Sequence, residues 1–88
     1  PFPDEEDRLR IWQTLLPPDV PRKDDLDLPF LARRYKLAGG SIRNILVGAS
    51  YLAAANGGVM DMSHLLHSTR RELGKMGRLV GDDLHPEH

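Results

Sequence analysis

Gly39-Gly40-Ser41-Ile42-Arg43-Asn44 sets two glycines against a serine and then opens an apolar run, Ile42, Ile45, Leu46, Ala49, Leu52 and Ala53. That spacing is helical. The run predicts a helix from about Gly40 or Ser41 to Ala55, stopped by Asn56-Gly57-Gly58. Its alanines and Gly48 leave little side chain between backbones. This is therefore the expected central helix, the most buried of the fold. Glycine at a helix start lets another molecule approach the backbone, and the free N–H groups there favour an anion. Arg43 stands in the first turn, where the helix dipole disfavours a cation. An arginine placed against that preference points to a negative partner such as a phosphate. A solvated arginine on a glycine-led helix start is the plainer reading of the same residues.

Three further helices follow from the same signals. Asp4 caps the first, with Glu5, Glu6 and Asp7 at the positive end of its dipole. Arg8 and Arg10 lie four residues beyond Asp4 and Glu6, in the favourable acid-first order for surface pairs. Leu9, Ile11, Trp12, Leu15 and Leu16 form its apolar stripe, and Pro17-Pro18 ends it. A polar connection, with two small apolar contacts at most, runs to Asp27, the cap of a short second helix. Pro29 fits its first turn. There Leu28, Leu31, Ala32 and Tyr35 face inward and Arg33, Arg34 and Lys36 face water. The fourth helix begins at Asp61 and carries Met62, Leu65, Leu66, Thr69, Leu73 and Met76 at helical spacing. Arg70, Arg71 and Lys75 suit a negative C-terminal end, and past Gly77 the sequence reads as a fraying tail. No segment alternates as a strand does. The fold class is all-α, a four-helix bundle.

Composition narrows the functions. With 88 residues the chain is one small domain or a piece of a larger protein. No cysteine is present, which excludes disulfides and thiolate metal sites. No apolar run spans a bilayer, and no secretory signal pattern opens the chain. The net charge of −1 hides an uneven spread: residues 1–27 carry −4, residues 28–78 carry +6, and the last ten carry −3. Acidic ends and a basic middle point to a negative partner for the central helices. His64 and His67 stand three apart on a helix but lack a neighbouring acid, and read as a surface pair without a metal. Ser41, Ser50, Ser63 and Ser68 have no nucleophile-elbow context. No glycine-rich loop ends in Gly-Lys-Ser/Thr, so this chain alone cannot hydrolyse a nucleotide.

Taken together, these segments resemble the C-terminal helical lid subdomain of an AAA+ ATPase. Phe2-Pro3-Asp4-Glu5-Glu6-Asp7-Arg8-Leu9-Arg10-Ile11 is similar to the stretch where that family's large α/β subdomain gives way to the lid. Leu31-Ala32-Arg33-Arg34-Tyr35 followed by Ala38-Gly39-Gly40-Ser41-Ile42-Arg43-Asn44 resembles the second lid helix and the start of the third. Ala49 to Ala55 is similar to the alanine-rich third helix, and Asp61 to Leu73 to the fourth. The likeness covers residues 1–78 and leaves 79–88 as a flexible C-terminal tail.

The resemblance implies an ATP site between lid and large subdomain, with magnesium held in the large subdomain. Arg43 falls at the sensor-2 position, the catalytic contact to the γ-phosphate that couples nucleotide state to lid angle. One large branch of the family has a small residue there instead. Gly39 and Gly40 fall where the lid backbone approaches the adenine, and Ile11 and Leu15 where apolar groups line the base. The P-loop, the acidic magnesium motif, sensor 1 and the arginine finger belong to the large subdomain. The chain would then be a fragment of a cytoplasmic ATP hydrolase, inactive alone and monomeric when isolated. Its partner is the large subdomain of the same protein, within a homo-oligomeric ring that needs no membrane and no nucleic acid. Two other readings stand beside it. One is a helical protein-interaction module without ligand. The other is a helix-turn-helix DNA-binding domain, disfavoured because the third helix offers few polar side chains to read a groove.

Overall fold

The computed structural model of the chain describes residues 2–84, with side-chain surroundings through residue 77. Four helices follow one another: α1 (Glu5–Leu15), α2 (Leu28–Arg34), α3 (Gly39–Ala55) and α4 (Met62–Leu84). Among the described residues there is no strand, only an isolated parallel bridge between Arg22 and Met60. The fold class is all-α, as the periodicity predicts.

Local chemistry sets the helix ends. The Asp4 carboxylate accepts from Asp7 N–H at 2.8 Å and Asp27 from Phe30 N–H at 3.0 Å. Each satisfies one of the donors that a helix start leaves unpaired. Gly57 and Gly58 take φ values of 88° and 82°, a left-handed backbone that glycine adopts freely, and stop α3. At α4 the first-turn bonds are reciprocal. Asp61 Oδ1 accepts from His64 N–H at 3.2 Å, and His64 Nδ1 accepts from Asp61 N–H at 3.0 Å. Histidine thus fills the place that Glu or Gln takes in a capping box.

α3 lies between α1 and α4, while α2 packs on α1. Ile42, Ile45, Leu46, Ala49 and Ala53 of α3 are buried with Trp12, Leu31, Ala32, Leu37, Met60 and Leu65. The central position expected for the third helix holds. Gly48 lets α4 approach: a Cβ there would lie 2.5 Å from Ser68 Oγ. Ser68 itself donates to the Ile45 carbonyl at 2.7 Å, and Ser50 to the Leu46 carbonyl at 2.8 Å.

Four expectations require correction. Arg8 does not pair with Asp4 at the surface. It is buried, donating from Nε to the Ala32 carbonyl at 2.8 Å and from Nη1 to the Pro3 carbonyl at 2.9 Å. The last turn of α2 presents unpaired carbonyls at a negative dipole end, which attracts the guanidinium more than an exposed aspartate does. Arg10 pairs with Asp7 at 3.5 Å, not with Glu6. His64 is buried, not a surface residue, because its ring closes the α4 cap and stands 3.5 Å from Asn56 Nδ2. α4 does not end at Gly77 but runs to Leu84. Helical glycine costs only about 1 kcal/mol, and no proline intervenes before Pro86. Arg70, Arg71 and Lys75 therefore sit mid-helix and not at its negative end. Residues 85–88 of the expected tail lie outside the described residues.

The connection between α1 and α2 is also more engaged than its polarity suggests. Val20 and Leu26 pack against the core. Lys23 N–H donates to the Met60 carbonyl at 2.9 Å, and Met60 N–H to the Pro21 carbonyl at 2.8 Å. Farther along, Asp25 accepts from Met62 N–H at 3.3 Å. The segment is clasped to the turn that links α3 to α4.

Candidate nucleotide-contact face

α1 and the first half of α3 lie side by side and leave two adjoining hollows on one face. The first, about 630 Å³, is lined by Phe2, Pro3, Asp7, Arg10, Ile11, Thr14, Leu15 and Gly39. A second, about 500 Å³, runs along α3 past Arg43, Val47, Ser50, Tyr51 and Ala54, and shares Leu15 with the first. Ile11, Leu15 and Gly39, separated widely in sequence, are thus brought to one groove. Arg43 stands one helical turn beyond Gly39, in the adjoining hollow. All of the sequence-derived contact residues but Gly40 line this face directly, and Gly40 is exposed beside Gly39.

The glycines have no cause within the fold. Neither Gly39 nor Gly40 has a positive φ. A Cβ on Gly39 would meet Ile11 Cδ1 at an ordinary 3.7 Å, and one on Gly40 would meet nothing within 4 Å. Alanine at either place would favour the helix by up to about 1 kcal/mol. A double glycine that neither backbone nor neighbours require leaves bare peptide at the mouth of the first hollow.

Arg43 is exposed, and among the described residues it forms no ion pair. Its guanidinium is available to an anion without first breaking a bond. Around it the surface is apolar: Leu15, Val47 and Tyr51 are 39%, 48% and 74% exposed, and Phe2 at the far end is 77% exposed. An apolar groove with a few polar groups suits a flat organic ring better than a free ion. A phosphate cradle is not part of it. Among the described residues no group of three or more His, Asp or Glu side chains could hold a metal. The face is an apolar groove with one exposed guanidinium beside it.

Asp7, Arg10 and Thr14 belong to the same groove and escaped the sequence reading. Their signal is present: with Ile11 they recur at i, i+3, i+4 and i+7, one stripe of α1. Val47 and Tyr51 follow Arg43 at four-residue steps on α3. Such outward apolar residues read as helix filling until a neighbouring helix is placed beside them.

No protein-family model matches the chain, and comparison with curated proteins finds no significant match.

Proposed function

We propose that this chain is the lid subdomain of an AAA+ ATPase, contributing nucleotide contacts and coupling ATP binding and hydrolysis to movement of the lid in a ring-forming, cytoplasmic motor. The observation that carries the reading is the joint placement of Ile11, Leu15 and Gly39 in one groove with an exposed Arg43 beside it that forms no ion pair among the described residues. In this reading Ile11 and Leu15 cover the adenine and the bare backbone at Gly39 and Gly40 lets it approach. Arg43 reaches the γ-phosphate, where a positive charge stabilises the transferring group. No helix among the described residues is long and apolar enough to cross a membrane.

The exposed face of α3 bears on the helix-turn-helix alternative. Beyond Arg43 and Asn44 it carries Val47, Tyr51, Ala54 and Ala55, which offer few hydrogen bonds to base edges. The interaction-module reading keeps one supporting observation, the exposed apolar side chains Phe2, Val47 and Tyr51. It leaves the double glycine without a cause.

The coding sequence ahead of Pro1 tests the class. A P-loop within one domain length upstream is expected, and its absence overturns the reading. On the chain itself, amide shifts at millimolar ATP are expected at Ile11, Leu15, Gly39, Gly40 and Arg43, with no hydrolysis. Shifts confined to other residues count against it.

A further inference from the structure

His67, Arg70, Arg71 and Lys75 of α4 are all exposed and surround Gly74 in a hollow of about 480 Å³. Neither burial nor the helix dipole accounts for them. α4 continues to Leu84, more than two turns past Lys75, and the dipole acts only within the last turn. Arg71 and Lys75 stand four apart, a like-charge spacing that weakens a helix. Among the described residues only Lys75 has a carboxylate, Glu72 Oε1 at 3.6 Å, and neither arginine forms an ion pair.

A compact cluster of complementary charge is on α1. Asp4, Glu5, Glu6 and Asp7 are exposed, and among the described residues only Asp7 forms an ion pair, with Arg10. α1 packs against α2 and α3, and α4 against α3 alone. Among the described residues the two clusters therefore do not meet within one copy.

We propose that the basic face of α4 receives the acidic first turn of α1 from a second copy of this chain. The contact is head-to-tail, so repetition closes a ring or extends a chain, according to the rotation between copies. A nucleic acid fits the same face less well. The chain has a pI near 6.5 and a net charge of −1, with acids at both ends, whereas nucleic-acid-binding domains carry an excess of base. The inference does not rest on the nucleotide reading, although Asp7 of the acidic turn also lines the first hollow.

Exposed ion pairs are weak and screened by salt, so the contact between free copies is weak and salt-sensitive. Sedimentation at about 1 mM protein and about 20 mM salt is expected to show self-association that is gone by about 0.5 M salt. Two charge-reversed variants decide its chemistry. Arg70→Glu/Arg71→Glu alters α4, and Glu5→Lys/Glu6→Lys alters α1 while sparing the Asp4 cap. Each alone is expected to sediment as a monomer. Mixed, they are expected to associate again, since the first keeps an acidic α1 and the second a basic α4. All four positions are exposed, and circular dichroism verifies the fold of each variant. A monomeric wild type at low salt, a single variant that associates as wild type does, or a mixture that stays monomeric overturns the proposal. So does a DNA duplex that shifts the α4 amides while the protein alone stays monomeric.

Discussion

Gly48 and Ser68 meet where α3 crosses α4, and the serine occupies the space that a side chain at Gly48 would need: a Cβ would stand 2.5 Å from Ser68 Oγ. The hydroxyl is not free to swing away without losing its 2.7 Å bond to the Ile45 carbonyl. The pair sets how closely the two longest helices approach, and so the width of the bundle on the side away from α2.

Gly48→Ala is expected to lower stability by about 1–3 kcal/mol, the usual cost of overpacking a tight site. In a Ser68→Ala background the sign reverses. The added methyl then meets no hydroxyl, and alanine gains up to about 1 kcal/mol over glycine within a helix. Urea denaturation of the four proteins of this double-mutant cycle measures both effects.

Arg8→Met keeps much of the side-chain volume but removes both carbonyl contacts. A loss of about 2–4 kcal/mol is expected, since the Ala32 carbonyl is left buried without its side-chain donor. Arg8→Lys should recover only part, because one ammonium lacks the planar fork that reaches both Pro3 and Ala32. Thermal melts followed at the Trp12 emission give the ranking, with wild type highest and the methionine variant lowest.

Arg43→Ala is expected to leave stability within about 0.5 kcal/mol of wild type, as for other exposed positions free of pairing. In the ATPase that the proposed function requires, the same change should reduce ATP turnover, with lysine rescuing partly. Full turnover in the alanine variant removes Arg43 from the catalytic role and leaves the lid assignment to rest on the groove alone.

Asp61 gives a pH dependence of definite sign. The Ser63 hydroxyl, bonded to its carboxylate, holds the carboxyl below the ordinary 3.8 against the opposing effect of burial. The His64 backbone N–H and the nearby Lys23 ammonium lower it further. A group whose pKa is depressed by folding stabilises the fold above its unfolded value, and that stability is lost as pH falls through the folded one. Wild type should therefore lose stability relative to Asp61→Asn as pH drops below about 4, measured by denaturant titration at a series of pH values.

The helix boundaries set by local chemistry were legible beforehand. Asp4, Asp27 and Gly57 act within three or four residues of their own positions, and a linear reading reaches that far. Arg8 was misread because the carbonyl that draws it inward lies 24 residues away. His64 was misread for a related reason: its spacing to His67 is local, but the Asn56 amide and the turn that bury it come from folding. The groove was legible as separate residues, Ile11, Leu15, Gly39 and Arg43. Its depth, and the part of Asp7, Arg10 and Thr14 in it, depend on how α1 lies along α3. Periodicity does not encode that placement.

The clasp between Pro21-Arg22-Lys23 and Met60 bears on cooperativity. α2 packs on α1 and not on α4, so an α1–α2 hairpin held to the rest only through α3 could open as a unit of its own. The Pro21–Met60 and Lys23–Met60 bonds tie the loop leading into α2 to the turn leading into α4. Opening of the hairpin then breaks contacts at both ends of the bundle, and partial unfolding is drawn toward the global transition. The amides of Lys23 and Met60, though outside every helix, should exchange with solvent as slowly as those of the α3 core, so that a force or ligand acting on the α1–α3 groove is felt at the start of α4.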